Sequence, residues 1–307
     1  MTPAKFAYQG RFAPSPTGPL HFGSLVAAAG SYLEARTRNG AWHLRMEDVD
    51  LPRCSTAAAG KILETLETCG FEWDGEVVWQ SHRTDAYATA LEGLKAAGRA
   101  FPCACSRREL ADSELAPDGA AIYPGTCRQG LPTGREARAW RIAVGDARVV
   151  FDDAIQGRIA SELAIEAGDF ILRRADGLFA YQLAVVVDDA AAGITHVVRG
   201  ADLLASTSRQ IYLQQCLGLP TPKYAHLPVA INAAGEKLSK QTRASPVDIS
   251  RPGPELFAVM EFLGQRPPLE LTGAPVSELW VWAKANWTLA KVGRGPALAR
   301  GEQPDSG

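Results

Sequence analysis

The stretch Arg11-Phe-Ala-Pro-Ser-Pro-Thr-Gly-Pro-Leu-His-Phe-Gly-Ser24 decides how the rest of this chain is read. Its three prolines and two glycines hold a loop that can be neither helix nor central strand, because each proline fixes φ and removes an amide donor. The loop delivers His21 and Ser24 to the start of a helix, since Leu25, Val26, Ala29, Tyr32, Leu33 and Arg36 follow at helical spacing. Backbone amides and the positive end of the helix dipole then face whatever lies over the loop. A triphosphate suits that arrangement. Far along the chain, Lys237-Leu-Ser-Lys-Gln241 follows the apolar stretch Ala225 to Asn232. Its two lysines are mobile cations without a fixed fork, suited to following phosphate charge as it develops.

In this order the two segments resemble the paired signatures of class I aminoacyl-tRNA synthetases: the HIGH motif, here His21-Phe-Gly-Ser24, and the KMSKS motif, here residues 237–241. The string Pro14-Ser-Pro-Thr-Gly-Pro-Leu-His21 is similar to the glutamyl branch of that class. Phe22, and Ser24 in place of the last histidine, resemble the glutamyl-Q tRNA(Asp) synthetase subfamily, and the likeness covers nearly the whole chain. It implies an α/β fold: a Rossmann-type parallel sheet with an inserted zinc-bearing α+β subdomain and a short C-terminal helical remnant. It also implies activation of L-glutamate by ATP with Mg²⁺ to glutamyl-adenylate, with no tRNA required. Glutamate then passes to the queuosine base at the wobble position of tRNA(Asp).

Two other readings compete. One is a truncated glutamyl-tRNA synthetase charging the tRNA 3′ end; the HFGS spelling and the missing anticodon-reading domain oppose it. The other is a non-catalytic zinc-containing RNA-binding protein, opposed by intact Arg11, His21, Glu47, Arg199, Lys237 and Lys240.

With 307 residues, 46% of them hydrophobic and 21% charged, the chain is long enough to bury a substantial core in one large or several small domains. No apolar run approaches bilayer length, and the N-terminus Met-Thr-Pro-Ala-Lys-Phe has neither an apolar core nor an arginine-rich pattern, so a cytoplasmic location is expected. A net charge of −2 gives no global attraction to nucleic acid; RNA contacts must come from local patches, and neither DNA nor membrane is expected as a partner. Arginines concentrate in the middle third, at Arg107, Arg108, Arg128, Arg135, Arg138, Arg141, Arg173 and Arg174, where the resemblance places a tRNA acceptor arm. The expected assembly is a monomer.

Strand and helix signals alternate over residues 1–100, the expected first half of the catalytic domain. Trp42, Leu44 and Met46 alternate with polar residues in a strand ending at Glu47-Asp48-Val49-Asp50-Leu-Pro-Arg53. Ser55 caps a helix carrying Ile62, Leu63, Leu66 and Cys69 and stopped by Gly70; a second helix with Tyr87, Leu91 and Leu94 stops at Gly98. Residues 101–190 are the expected insertion, with β-like runs over Ala139 to Val144, Arg148 to Phe151, Phe170 to Arg173 and Leu178 to Val187, the last two around an Ala-Asp-Gly turn. Residues 191–245 return to the catalytic domain with a strand over Thr195 to Val198, a helix opened by Asp202, and the lysine loop. Residues 246–300 read as a helical remnant, and 301–307 as a disordered tail.

Six cysteines in a chain this long are not a disulfide framework, and three of them cluster. Cys103-x-Cys105 and Cys127 are candidate ligands of a structural zinc in a segment with no other evident means of folding. The resemblance adds Tyr123 as the fourth ligand; Asp112, Glu114 or water are alternatives. It also assigns glutamate binding to Arg11, Ser15, Glu47, Tyr181 and Arg199, with the guanidiniums gripping carboxylates and Glu47 meeting the ammonium. Which arginine grips which carboxylate stays open. His21, Ser24 and Lys240 are the expected ATP contacts, and His21, Lys237 and Lys240 the expected catalytic groups. Asp48 and Asp50 are expected to cap the next helix and pair with Arg53.

Overall fold

The computed structural model describes residues 7–116, 119, 121–231, 245–295 and 297–299. Its first half alternates strand and helix: β1 (Gln9–Phe12), α1 (Phe22–Arg36), β2 (Ala41–Met46), α2 (Thr56–Thr68), β3 (Val78–Trp79) and α3 (Thr84–Ala96). The middle carries β4 (Ala100–Cys103), β5 (Ala139–Ile142), β6 (Arg148–Asp153), β7 (Gly157–Glu162), α4 (Leu163–Glu166), β8 (Ile171–Arg173) and α5 (Tyr181–Ala191). Then come β9 (His196–Gly200), α6 (Leu204–Leu217), β10 (Lys223–Leu227), β11 (Val229–Ile231), α7 (Pro252–Phe262), α8 (Val276–Asn286) and β12 (Ala297–Ala299).

Strands β1, β2 and β3 run parallel, as do β9, β10 and β6, with β7 antiparallel at the edge. The two groups meet where β1 lies beside β9. There the Thr195 amide donates to the Gln9 carbonyl at 3.0 Å, and the Gln9 amide donates to Thr195 Oγ1 at 2.9 Å. Strand order is therefore β3-β2-β1-β9-β10-β6-β7, and the order reverses between β1 and β9. In open α/β sheets that reversal opens a crevice at the carboxyl ends of the strands. Strands β4, β5 and β8 form a separate antiparallel sheet.

Helix α1 is buried along most of its length because β2, α7 and α8 all pack around it. Tyr32, Trp42, Phe71 and Trp280 form one aromatic cluster, with centroids 5.0 to 5.6 Å apart. Trp280 Nε1 also donates to the Cys69 carbonyl at 2.8 Å, so the C-terminal helices share the core of the first half. Each such ring contributes about 1.5–3 kcal/mol on burial. Among the described residues no helix is long and apolar enough to cross a membrane.

Two expectations need correction. Residues 178–187 are not a strand: Phe179 makes a single bridge to Arg173, and the chain then enters α5. The run Leu183-Ala-Val-Val-Val187 is apolar without period, and a helix buried on most sides needs no amphipathic spacing. Strands β6 and β7 extend the parallel sheet through the pairing of Asp153 with Tyr224, so this part of the expected insertion is hydrogen-bonded into the main sheet.

Gly264, which ends α7, has φ of +73°, and a Cβ there would run into the Lys291 carbonyl. Gly264→Ala should therefore lower the melting temperature by roughly 5 °C. Gly60, exposed on α2 with open space around it, should gain about 1 kcal/mol on replacement by Ala. Thermal unfolding of the two variants checks both signs.

Candidate active site and cysteine cluster

A cavity of about 460 Å³ lies at the strand reversal. Seven residues expected from the sequence line it together: Arg11, Ser15, His21, Ser24, Glu47, Tyr181 and Arg199. The proline loop forms one wall. Its carbonyls are tied down, Pro14 accepting from the Glu47 amide at 2.9 Å and Pro16 from the Ser55 amide at 3.0 Å. His21 is the N-cap of α1: Nδ1 accepts from the Ser24 amide at 3.3 Å, which leaves the proton on Nε2, 3.1 Å from Ser24 Oγ. Lys237 and Lys240 lie outside the described residues. The described residues on either side of 232–244 border the same wall: Val229 and Ala230 line the cavity, Pro246 bridges to His21, and the Val247 amide donates to the Leu20 carbonyl at 2.9 Å.

Charge is dense on the inner wall. Arg45, 3% exposed, donates to Asp189 at 2.6 Å and to Glu47 at 3.1 Å, and Arg11 Nε donates to the same Asp189 oxygen at 3.4 Å. Burial alone would disfavour ionised Asp189, but Arg11 and Arg45 outweigh it and its pKa is lowered. For Glu47 burial wins over Arg45 and Arg11, and its pKa is raised. Asp188 lies 3.9 Å from Arg45 Nε and also accepts from Gln80 at 2.8 Å, Arg83 at 2.5 Å and Tyr87 at 2.7 Å.

Arg199 is held differently. Nε donates to His226 Nε2 at 3.1 Å, Nη2 to Thr207 Oγ1 at 2.8 Å, and Nη1 to the Tyr181 hydroxyl at 3.5 Å. Burial, reinforced by Glu47 and partly offset by Arg199 and Arg11, raises the Tyr181 pKa, so this hydroxyl stays protonated. Asp202 stands exposed at the cavity rim.

Asp48 and Asp50 do not cap α2; the Ser55 hydroxyl does, accepting from the Ala58 amide at 3.1 Å. Asp48 instead accepts from the Ser81 amide at 2.8 Å and hydroxyl at 2.7 Å, so it belongs to the turn after β3. Asp50 pairs with Arg53 as expected, at 2.5 Å, and also with Arg174 at 2.8 Å.

Cys103, Cys105 and Cys127 bring their sulfurs within 4.8 Å of one another. The Tyr123 oxygen lies 3.5 Å from both Cys103 and Cys105 and accepts from the Cys127 amide at 2.8 Å. Arg141 stands against this group, Nε 3.4 Å from Cys103 and the guanidinium 4.0 Å above the Tyr123 ring. Burial opposes a Cys103 thiolate, yet its hydrogen bonds with Tyr123 and Arg141 outweigh that and its pKa is lowered. Three soft sulfurs and one phenol oxygen in one small cluster are a donor set compatible with a structural zinc site. The Asp112 and Glu114 alternatives for the oxygen are not part of this cluster.

Pairing of Glu47 with Arg45 was one reading of the sequence, but Asp153, Asp188, Asp189 and His226 were not anticipated from it. The available signals were a pair of acids inside an apolar helix and a histidine inside an apolar strand.

A Rossmann-type sheet whose reversal point carries a histidine-capped helix and inward guanidiniums is the catalytic fold of a class I aminoacyl-tRNA synthetase. Residues 8–263 match the family described as tRNA synthetases class I (E and Q), catalytic domain. Over 287 residues the chain is 62% identical to a glutamyl-Q tRNA(Asp) synthetase of Aromatoleum aromaticum, covering 94% of this chain and 91% of that one. A protein of the same name from Thiobacillus denitrificans is 56% identical, covering 98% of this chain and 99% of its own length. A crystal structure of glutamate-tRNA synthetase from Elizabethkingia anophelis shares the fold at a TM-score of 0.79 and 24% identity, over 96% of this chain and 68% of that one. The chain belongs to the glutamyl-Q tRNA(Asp) synthetase family, and it is a ligase.

Removing the charge of Asp189 leaves Arg11 without its ion pair and Arg45 with only Glu47 and, at 3.9 Å, Asp188. Asp189→Asn should cost about 3 kcal/mol of stability at neutral pH. The native pKa lies below the ordinary 3.8, so this stabilisation is present above that value and is lost as pH falls below it. Urea unfolding at neutral pH and in the acid range should show the difference between native and variant proteins shrinking on acidification.

Proposed function

We propose that this enzyme activates L-glutamate with ATP without needing tRNA, and then transfers glutamate to the queuosine base at the wobble position of tRNA(Asp). The observation that carries the reading is the gathering of Arg11, Ser15, His21, Ser24, Glu47, Tyr181 and Arg199 around one cavity at the sheet reversal. Arg11 and Arg45 are paired with Asp189, Glu47 and Asp188, whereas Arg199, on the cavity lining, makes no ion pair among the described residues. Glutamate brings one net negative charge and glutamine none. The cavity therefore suits the acid.

In this reading Arg199 with Tyr181, and Arg11, receive the two carboxylates, while Glu47 and Ser15 receive the ammonium. An arriving ammonium favours the ionised form of Glu47, offsetting its raised pKa. An α-carboxylate oxygen attacks the α-phosphorus of ATP, and pyrophosphate departs with the electron pair of the broken P–O bond. His21 and Ser24, at the positive end of α1, contact the phosphates; Lys237 and Lys240 stabilise the departing charge, and Mg²⁺ accompanies ATP. The acyl bond then passes to the queuosine base as AMP leaves. The names carried by the close relatives support this acceptor. Cys103, Cys105, Cys127 and Tyr123 would hold one zinc that fixes the shape of its segment and takes no part in the chemistry.

Glutamate-dependent pyrophosphate exchange should proceed without tRNA, and label transferred to tRNA should survive removal of the terminal adenosine. Loss of label with that adenosine would mean 3′-end charging. Lys240→Ala should depress exchange turnover at least ~100-fold with little change in the glutamate KM. A rise in KM alone refutes the role given to Lys240.

The purified protein should carry one zinc per chain by elemental analysis. Cys127→Ser should lose it and become sensitive to proteolysis between residues 103 and 138, because the metal supplies folding energy there. Full protection in a zinc-free variant would remove the structural role.

A further inference from the structure

His226 lies on β10 at 0% exposure, outside the cavity lining, and no step above uses it. Its Nδ1 is 2.6 Å from Asp153 Oδ2, and its amide donates to Asp153 Oδ1 at 3.1 Å. A carboxylate at that distance accepts a hydrogen bond from Nδ1–H, which keeps the proton on Nδ1 and leaves Nε2 as a lone-pair acceptor. Toward Nε2 point the Arg199 Nε–H at 3.1 Å and Thr207 Oγ1 at 3.0 Å. Asp153 is itself fixed: Oδ1 accepts from the amides of Ile155 at 3.0 Å and Gln156 at 2.9 Å. Burial disfavours the imidazolium, with Arg199 adding to that and Asp153 and Asp202 opposing, and the His226 pKa is lowered.

Every group that holds Arg199 among the described residues is therefore neutral: an imidazole, a threonine hydroxyl, the Leu203 carbonyl and the Tyr181 hydroxyl. Among the described residues no carboxylate lies within ion-pair distance of it, whereas Arg11 and Arg45 share Asp189. A guanidinium held by neutral acceptors keeps its full charge for an incoming anion, while its orientation is already fixed.

We propose that His226, held in one tautomer by Asp153, is a positioning residue that aims Arg199 into the cavity and leaves its charge free for a substrate carboxylate. The proposal rests on Arg199 binding that carboxylate. Asp153→Asn tests it with little change of shape. The asparagine keeps Oδ1 for the three amides but presents an N–H to Nδ1, which moves the imidazole proton to Nε2, facing the Arg199 donor.

Pyrophosphate exchange with Asp153→Asn should show a glutamate KM raised ~10–100-fold, with the ATP KM within about twofold of native. His226→Met, lacking an acceptor, should behave alike, and His226→Gln, which can present an amide oxygen to Arg199, should recover much of the loss. Arg199→Lys separates the two levels of the argument. If it raises the glutamate KM while Asp153→Asn and His226→Met leave it unchanged, the positioning role is overturned and the role of Arg199 stands. If Arg199→Lys itself leaves the glutamate KM unchanged, the binding role of Arg199 fails and the proposal fails with it. Heteronuclear NMR of histidine-labelled native protein reads the tautomer without any variant having to fold: a proton on Nδ1 is expected, and a proton on Nε2 overturns the proposal.

Discussion

One carboxylate, Asp189, makes it possible to bury two guanidiniums side by side. Arg11 comes from β1, Arg45 from β2 and Asp189 from α5, so the charge that satisfies the arginines also clamps the helix to the strands. An unpaired guanidinium at this depth would cost several kcal/mol, which forbids α5 from drifting. Its neighbour Asp188 locks the same turn through Gln80, Arg83 and Tyr87. Tyr181, at the first residue of α5, inherits a fixed position over the cavity from these two acids.

Arg199 shows the other solution to the same problem. A neutral acceptor satisfies an N–H without consuming the cation's charge, whereas a carboxylate consumes both. The cavity thus has a saturated end, where Arg11, Arg45, Glu47 and Asp189 compensate one another, and an unsaturated end at Arg199. That asymmetry is the basis of the single orientation proposed for a zwitterion with one extra carboxylate, its ammonium near Glu47.

The catalytic sheet and the first wall of the site were legible because their signals are local. Proline fixes the loop, apolar spacing gives α1 and β2, and Ser55 marks its own helix. The three cysteines were legible from spacing within one short segment, whereas Tyr123 came only from the family resemblance. Helix α5 was misread as a strand because tertiary burial removes the polar face that would have betrayed a helical period. Strand β7 gave no signal: Gly157 to Glu162 is mostly polar and exposed, and pairing with β6 alone makes it a strand. Asp153 and His226 are 73 positions apart, and only the parallel pairing of β6 with β10 brings them together. No local pattern carries that information.

That pairing also explains why the C-terminal segment matters to a cavity it does not line. Gln156, in the turn after β6, donates to the His226 carbonyl at 2.8 Å and to the Gly295 carbonyl at 3.0 Å, and accepts from the Gly295 amide at 3.2 Å. Three parts of the chain therefore meet behind Arg199: the β6–β7 hairpin, β10 and the segment following α8. On the other flank, Trp287 Nε1 donates to Glu34 at 2.7 Å and Trp280 fills the aromatic cluster around Tyr32, so the same C-terminal region also braces α1, whose first residues face the cavity. Both walls of the site are thus set by packing from behind. The side chains that meet solvent are free to carry charge because the groups that position them are buried and uncharged, or paired.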